Sequence, residues 1–353
     1  FTYRYDLRGR LVEAKRDGVV VEAYAHDANG NRVRGTYDDQ DRLLAYGTKT
    51  YSYTANGELA STSDGTQYTY DAHGALLSVE LPDGRLIEYV IDGMGRRVGK
   101  KVDGVLQWGL LYRSALQPVA VLDGAGNVVD RYVYGSSRNV PEYVERSGER
   151  YRILTDHLGS LRLVVNVGTG EVVQRMEYDS FGVVLVDEVA AGWEPVLFGF
   201  AGGVYDRDTG FVRFGARDYD ASVGRWTGKD PIRFEAEGTN LFEYALGDPV
   251  NYVDVDGLDP SAATSTWLRD FALLAAGGAA LGPIGAAVGG AAIGAGVILA
   301  CGSLIVSDTA PKEVAPPRKK KKKKGCLCLC NNAQQTKFNA SSYEKCQEYC
   351  TPN

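Results

Sequence analysis

The sequence predicts a mainly β fold of short antiparallel strands joined by tight turns. Its 353 residues include 43 glycines and 22 tyrosines but only 2 methionines, a composition that favours strands and turns over packed helices. A short unit that opens with an aromatic residue recurs along the chain as far as Val184. Asn-Gly and Asp-Gly pairs punctuate the same region, and they supply the positive φ angles that hairpin turns require.

Each copy of the unit consists of an aromatic residue, a polar pair, a turn residue, Gly or Asp, and then a basic or apolar strand. The copies are Tyr5–Leu11, His26–Arg32, Tyr37–Leu43, Tyr53–Leu59, Tyr70–Leu76 and Tyr178–Val184. Successive turns from Gly9 to Gly95 are 11 to 21 residues apart, which fits a strand, a tight turn and a returning strand. One hairpin cannot bury its tyrosine-bearing face, whereas a stack of hairpins can. The irregular spacing counts against a propeller's fixed blade and leaves a generic β-solenoid open.

The chain changes character after Leu258. Residues 259–311 are apolar and rich in Gly and Ala, and residues 312–353 are basic and hold five of the six cysteines. We therefore expect a β scaffold followed by a carried or anchored extension, which we expect to be α-helical or disordered. Because Phe1 lies inside a repeat and is not a methionine, we also expect the chain to be the C-terminal part of a longer protein.

Charge separates the same parts of the chain. Residues 312–353 carry ten Lys and Arg against three Glu, a net charge of +7. Because the whole chain has a net charge of −6, residues 1–311 have a net charge of −13. An acidic scaffold argues against nucleic-acid binding by that part.

The repeating unit resembles the YD repeats of the Rhs family, which insecticidal toxin-complex C components and teneurins share. The resemblance covers nearly all of residues 1–258, with residues 1–194 as repeats and 195–258 as the Rhs repeat-associated core. The stretches that carry it are Tyr151–Asn166, Phe200–Gly210, Phe214–Asp220, Gly224–Pro231, Asn240–Asn251 and Asp254–Leu258. It implies a β-hairpin spiral that forms a shell, closed at one end by the core.

The resemblance also implies a function. Such a protein is a bacterial polymorphic toxin scaffold, secreted or on the cell surface, that encloses its own C-terminal segment as cargo. Secretion machinery or an immunity protein is then the expected partner.

Members of this family cut themselves after the Leu of the terminal motif with an aspartyl-protease-like site. By motif, Asp230 and Asp254 would be the two carboxylates, and Arg217 would be the supporting cation. The bond cut would be Leu258–Asp259. Two carboxyls that share a proton can act as base and acid toward a water, and a guanidinium can hold one of the charges. The enzyme implied is a protease that acts only in cis.

The motif departs from the family pattern at two places, because Val255 replaces a proline and Arg233 replaces a glycine. Asp256 lies two residues after Asp254 and competes with it for the assignment. The alternatives are that these aspartates only begin turns while Arg217 forms a buried ion pair, or that the site is degenerate. No cofactor or metal is assigned, because the Asp-Gly spacings fit no EF-hand loop and the three histidines lack ligand spacing.

The extension contains an uncharged run from Phe271 to Ser307. Within it, Ile284 to Val306 is 23 residues long, close to the ~20 that cross a bilayer, and three Gly-x-x-x-Gly spacings suit close helix contact. The run is interpreted either as a membrane-active segment or as a passive spacer. A different function follows if residues 271–306 are a membrane anchor: a non-enzymatic, surface-anchored YD-repeat protein.

Lys319–Lys324 form a cationic block beside this run. Such a block is typical of anionic-lipid contact or of a nucleic-acid arm. Cys326, Cys328 and Cys330 alternate, so a strand would place them on one face. Lipidation, disulfides and a cysteine-only metal cluster all stay open for the tail.

Overall fold

The computed structural model describes residues 1–135, 137–235 and 238–263, together with four short strands nearer the C-terminus. The chain divides into two compact units, Phe1–Ala279 and Ala280–Asn353. The described residues contain strands and three short 3-10 turns but no α-helix. The 3-10 turns are Phe200–Gly202, Arg233–Glu235 and Ala245–Gly247.

The first unit begins with a three-stranded antiparallel sheet, followed by a sheet of sixteen strands. The three strands are β1 (Thr2–Tyr5), β2 (Leu11–Arg16) and β3 (Val19–Ala23). The sixteen are β4 (Gly35–Tyr37), β5 (Leu43–Tyr46), β6 (Lys49–Tyr53), β7 (Leu59–Thr62), β8 (Gln67–Tyr70), β9 (Leu76–Glu80), β10 (Leu86–Ile91), β11 (Arg97–Val102), β12 (Val105–Ser114), β13 (Gln117–Leu122), β14 (Val128–Val133), β15 (Tyr143–Arg146), β16 (Glu149–Thr155), β17 (Leu161–Asn166), β18 (Val172–Tyr178) and β19 (Val184–Val189). Each strand of the long sheet pairs with its neighbours in the chain. The predicted mainly β fold of consecutive hairpins is confirmed.

An Asp after the aromatic residue builds the turn of the repeating unit, except in Tyr53–Leu59, where Thr54 takes its place. Asp6 Oδ1 accepts backbone hydrogen bonds from Arg8 (2.9 Å) and Arg10 (3.0 Å), and Gly9 takes the left-handed conformation with φ +83°. The same contacts from residues i+2 and i+4 recur at Asp27, Asp38, Asp71, Asp92, Asp123, Asp156 and Asp179. A side chain that satisfies the backbone of its own turn explains why Asp follows the aromatic residue.

One face of the long sheet is buried and the other is exposed. Leu76 and Val79 on β9 are fully buried, whereas Leu86 and Val90 on β10 are each 38% exposed. Residues from Val196 onward cover the buried face, because their apolar side chains join the same core as those of β12 to β18. This covering segment holds the remaining strands of the first unit: β20 (Val204–Tyr205), β21 (Phe211–Phe214), β22 (Arg217–Asp220), β23 (Arg225–Trp226), β24 (Tyr252–Val253) and β25 (Ser261–Ala262).

Aromatic rings form the centre of the covering segment. Tyr219 is fully buried between Trp226 and Tyr244, with ring centroids 5.7 Å and 4.3 Å away. Phe214 contacts both Trp226 and Tyr244 as well. Such pairs stabilise a core by roughly 0.5–1.5 kcal/mol each beyond the burial of their area, and they hold β21 to β23 in a fixed position.

In the second unit, the described residues form two short hairpins. One contains β26 (Ile298–Ala300) and β27 (Ser303–Ile305), and the other contains β28 (Cys326–Leu329) and β29 (Gln335–Phe338). At these positions the extension is therefore stranded, not α-helical or disordered as expected. The Gly- and Ala-rich composition gives way here to the β-branched residues Ile298 and Ile305, which favour strands.

The predicted membrane segment is described only in part. Residues 298–300 and 303–305 of the 271–306 run lie in strands, and the rest of that run lies outside the described residues, as does Lys319–Lys324. Within the described part of the chain, no helix has the length and apolar character needed to cross a membrane.

Candidate functional site

Three separate elements bring the three predicted site residues together. Arg217 begins β22, Asp230 follows β23, and Asp254 follows β24. All three side chains are buried. Arg217 Nη2 lies 2.7 Å from Asp230 Oδ2 and 3.1 Å from Asp254 Oδ2, so one guanidinium nitrogen contacts both carboxylates. The two Oδ2 atoms are therefore separated by no more than the sum of those two distances.

The guanidinium of Arg217 is fixed from several sides. Its Nε donates a hydrogen bond to the carbonyl oxygen of Gly257 at 2.6 Å. Its central carbon lies 4.0 Å from the ring centroid of Trp226, a cation–π distance. Because these contacts come in addition to the two carboxylates, the guanidinium has little freedom to rotate.

The peptide unit between Gly257 and Leu258 is held at both ends. Arg217 binds its carbonyl oxygen, and Asp254 Oδ1 accepts a hydrogen bond from its N–H, on Leu258, at 2.9 Å. Gly257 has φ +71°, and a Cβ there would lie 2.3 Å from the carbonyl oxygen of Phe214. Only glycine fits this close approach. The clamped unit directly precedes the predicted Leu258–Asp259 bond.

Burial and the shared cation set the charge state of the two carboxyls. Burial raises the pKa of Asp254 to about 6, although Arg217 opposes the shift. Burial also raises the pKa of Asp230, again against the effect of Arg217, and burial lowers the pKa of Arg217 itself. One cation between two buried carboxyls favours a state in which one carboxyl keeps a proton.

A small cavity of about 30 Å³ adjoins these residues. Arg217, Asp230, Asp254 and Pro260 all contribute to its lining. Asp254 and Pro260 lie on opposite sides of the Leu258–Asp259 bond in the sequence. A polar cavity of this size has room for a water molecule. Among the described residues, no group of three or more His, Cys, Asp or Glu side chains could hold a metal ion.

The comparisons with known proteins agree with the repeat pattern. Residues 1–249 match the family model described as Teneurin YD-shell. The chain belongs to this family. It is 27% identical over 297 residues to mouse Teneurin-3, a match that covers 77% of this chain and 10% of the relative. It is 29% identical over 274 residues to the tRNA nuclease WapA of Bacillus subtilis (strain 168), covering 72% of this chain and 12% of the relative. The chain thus spans about a tenth of the length of these relatives.

Solved structures of a toxin complex are similar as well. The crystal structure of TcdB2-TccC3-TEV has a TM-score of 0.46 and 18% identity, covering 72% of this chain and 17% of that chain. The crystal structure of TcdB2-TccC3-Cdc42 has a TM-score of 0.46 and 17% identity, covering 78% of this chain and 17% of that chain.

The site of this YD-shell chain is bordered by strained backbone that the sequence did not reveal. Ala245 and Leu246 have φ of +49° and +57°, a left-handed conformation that is unfavourable by roughly 1–2 kcal/mol for each non-glycine residue. Arg233 has φ +54° and stands where the family pattern has glycine, which adopts this conformation without strain. All three line the cavity. The replacement of the family glycine by Arg233 was the one sequence signal of this left-handed backbone, and it indicated Arg233 but not Ala245 or Leu246.

The structure also places the competing aspartate and two residues that sequence reasoning missed. Asp256 acts on both of its charged neighbours: after burial, its charge and its side-chain hydrogen bond also raise the pKa of Asp254, and its charge opposes the lowering of the pKa of Arg217. Its backbone oxygen accepts a hydrogen bond from the Ala216 N–H at 2.8 Å. Trp226 supports the guanidinium. Glu243 lines the same cavity, and burial raises its pKa to about 7. Trp226 lies in Gly224–Pro231 and Glu243 in Asn240–Asn251, two stretches that carry the family resemblance, but the sequence analysis gave neither residue a role.

Proposed function

We propose that this chain belongs to an Rhs-type scaffold that cleaves itself after Leu258 and releases its own C-terminal segment. The observation that supports this most directly is the contact of one buried guanidinium with both carboxylates, beside a peptide unit held at both ends. Two carboxyls with raised pKa values form the arrangement that acid–base hydrolysis needs.

The reaction uses the shared proton. The ionised carboxyl of the pair takes a proton from a water in the cavity, and the oxygen of that water bonds to the carbonyl carbon of Leu258. The protonated carboxyl donates its proton to the carbonyl oxygen. When the intermediate collapses, the C–N bond breaks, the carboxyl that took the water proton gives it to the nitrogen of Asp259, and one hydroxyl of the intermediate returns its proton to the other carboxyl. Leu258 then ends in a carboxyl group, and the pair again holds one proton. Arg217 holds the remaining negative charge of the pair throughout.

The clamp on the Gly257–Leu258 peptide unit supports this assignment through orientation. Fixing the unit that precedes the target bond limits rotation of the Leu258 carbonyl relative to the carboxyls. Positioning of this kind supplies much of the barrier reduction in intramolecular reactions.

The test is a denaturing gel of the full chain expressed under native conditions. Wild type is expected to run as fragments of 258 and 95 residues, and the new N-terminus is expected to be Asp259. Asp230→Asn and Asp254→Asn are expected to stay whole. Asp248→Asn is the matched control, because Asp248 is also buried and also precedes a proline, yet its carboxylate contacts Asn251 rather than Arg217. It is expected to cleave.

Two results would count against the proposal: an intact wild-type chain, or cleavage that survives in both the Asp230 and Asp254 variants. A product with an N-terminus other than Asp259 would mean that a different bond is cut, while the assignment of the catalytic residues would stand. Loss of cleavage in the Asp248 control would mean that folding, not chemistry, was being measured.

The relatives frame the wider role. WapA is named a tRNA nuclease and the teneurins share the YD-shell, so an extracellular location and release of an active segment are the roles we propose for the whole protein. The second candidate, a non-enzymatic surface protein anchored by residues 271–306, is favoured by the uncharged run alone. It predicts one intact chain that remains with membranes, so the same gel separates the two functions. Secretion machinery, an immunity protein and membrane contact through Lys319–Lys324 remain proposals as well.

A further inference from the structure

A polar bridge connects the candidate site to one turn of the repeats, residues 27–31. Asn240 lies in the covering segment and is buried. Its Nδ2 donates to the carbonyl oxygen of Asn29 at 3.2 Å and to Oδ1 of Asn31 at 2.8 Å. Its Oδ1 accepts a hydrogen bond from the backbone N–H of Phe242 at 3.1 Å. The amide nitrogen of Asn240 therefore binds the repeat turn, while its amide oxygen fixes its own backbone.

The acceptor on the turn is itself held in place. Asn31 is only 1% exposed, and its Nδ2 donates to Asp41 Oδ1 at 2.6 Å and to Asp27 Oδ2 at 3.2 Å. Its Oδ1 also accepts a hydrogen bond from Nη1 of Arg225, in the covering segment, at 2.7 Å. Because both ends of the amide are used, its orientation is set by its partners.

The covering segment also approaches the turn closely at Gly30. A Cβ on Gly30 would lie 2.4 Å from Oε1 of Glu243, and Glu243 lines the cavity of the candidate site. Gly30 has φ +90°, which glycine adopts without strain. Close backbone approach and buried hydrogen bonds together determine how this part of the covering segment lies on the turn.

The residue after Asn240 links the bridge to the site. The carbonyl oxygen of Leu241 accepts a hydrogen bond from the backbone N–H of Asp230 at 3.0 Å and one from Nη1 of Arg217 at 3.4 Å. Asn240 and Leu241 line the same cavity as Arg217, Asp230 and Asp254. A shift of this backbone would therefore move one carboxylate and the shared cation together.

We propose that the turn at residues 27–31 positions the cleavage site through Asn240, so that fast cleavage requires the covering segment to be docked on the repeats. Asn240 is a positioning residue, because it acts through Leu241 on Asp230 and Arg217. The inference rests on the self-cleavage proposed above and adds a condition to it. A chain whose covering segment is not docked on this turn keeps the Leu258–Asp259 bond intact.

The first test follows cleavage of the full chain after dilution from urea. Asn240→Ala is expected to slow cleavage roughly 10–100-fold, the effect of a small misplacement of reacting groups. The pH at which the rate falls is expected to rise by roughly half a pH unit, because a displaced Arg217 lowers the pKa of Asp230 and Asp254 less. A merely structural loss would change the rate without moving the pH profile.

Two further variants show whether the turn is the cause. Asn31→Ala is expected to slow cleavage too, and combining it with Asn240→Ala is expected to add little, because both remove the same bridge. Asn139→Ala is the matched control and is expected to cleave as wild type. Asn139 Nδ2 also binds the covering segment, at the carbonyl oxygen of Ala201 at 3.0 Å, but Asn139 lines a different cavity.

The second test does not depend on cleavage. In the full chain carrying Asp254→Asn, hydrogen exchange is measured by mass spectrometry at the peptide that contains the Asp230 N–H. Asn240→Ala is expected to raise exchange there roughly tenfold, with little change in the long sheet, whereas Asn139→Ala is expected to leave it unchanged. If Asn240→Ala does not fold, Asn240→Asp takes its place, because it keeps the shape of the side chain but loses its N–H donors.

The two tests separate this inference from the proposed function. An intact wild-type chain counts against self-cleavage, whereas unchanged exchange at Asp230 in the Asn240 variant would overturn the positioning role. Cleavage of Asn240→Ala at the wild-type rate, or slower cleavage with an unmoved pH profile, would overturn the positioning role as well.

Discussion

Asp254 accepts a hydrogen bond from the backbone N–H of Leu258, four residues later, at 2.9 Å. The repeat turns contain the same contact, for example from Arg10 to Asp6 at 3.0 Å. The second oxygen of the carboxylate differs between the two. In the first repeat it pairs with Arg10 of its own turn, whereas in Asp254 it contacts Arg217, which comes from β22. The terminal motif is thus a repeat turn whose cation is supplied from outside.

The first prediction concerns the pH dependence of cleavage. Burial raises the pKa of Asp254 to about 6, so above that pH the pair loses its shared proton and with it the acid. Intact chain, solubilised in urea and diluted into buffers between pH 5 and 8.5, is expected to cleave about tenfold more slowly per pH unit above the upper pKa. The rate is followed on denaturing gels, with Asp248→Asn as the control. A rate that stays flat or rises from pH 6 to 8 would contradict the assignment.

The second prediction concerns removal of the shared cation. Arg217→Met leaves two buried carboxyls without a positive partner, a loss that typically costs about 3–5 kcal/mol. The loss is expected to be larger at pH 8 than at pH 5, because at pH 5 the Asp254 carboxyl is mostly protonated. Urea unfolding at both pH values measures it. Adding Asp254→Asn should recover part of the stability at pH 8, and a purely additive double variant would show that the two residues are not coupled.

The third prediction concerns Glu243. Burial raises its pKa from 4.5 to about 7, and its Oε1 is buried without a partner. Between these two pH values the unfolded chain loses a proton that the folded chain keeps, so the free energy of unfolding falls as pH rises through this window. Glu243→Gln removes the penalty and is expected to stabilise the chain by about 2–3 kcal/mol at pH 8 but little at pH 4.5.

Unfolding of the Glu243 variant at the two pH values provides the measurement. Glu80→Gln, on an exposed side chain, is the control and should shift neither. Equal stabilisation by Glu243→Gln at both pH values would show that the ionised carboxylate is not the source.

The fourth prediction separates backbone strain from crowding at two turn glycines. Gly170 has φ +77° and open space around it, whereas Gly182 has φ +90° and a Cβ there would lie 2.5 Å from the ring of Phe200. Gly170→Ala is expected to cost about 1–2 kcal/mol from the left-handed conformation alone. Gly182→Ala is expected to cost about 1–3 kcal/mol more, because the buried ring must move. Urea unfolding compares them, and equal losses would show that Phe200 yields freely.

Local patterns made much of this structure predictable. The Tyr-Asp unit and its glycine can be recognised from a few consecutive residues of the sequence, and the same residues form the turn in the structure. The motif match likewise named Arg217, Asp230 and Asp254 before any geometry was known. Their roles remain a prediction, but their proximity is a finding.

Other features depend on residues far apart in the chain. Arg97 meets Asp218 across 121 positions, and no spacing rule reports such a pair. The left-handed turn at Ala245 and Leu246 uses residues that rarely adopt it, so composition pointed away from it. The alternating cysteines fit the strand at Cys326–Leu329, but helix or disorder was expected for the whole extension. Neither this strand nor the one at Ile298–Ala300 was therefore predicted.

The order of strands in the long sheet bears on how the protein is made. Because β5 to β19 each pair with the preceding strand, every hairpin of the long sheet can form as soon as its second strand leaves the ribosome, with little loop to close. The cluster around Arg217 can form only later in synthesis. It needs Gly257 and Leu258, which are synthesised after all the repeats, so it is complete only when the scaffold is already folded. Any chemistry at this cluster can therefore begin only after all the strands of the long sheet have been synthesised.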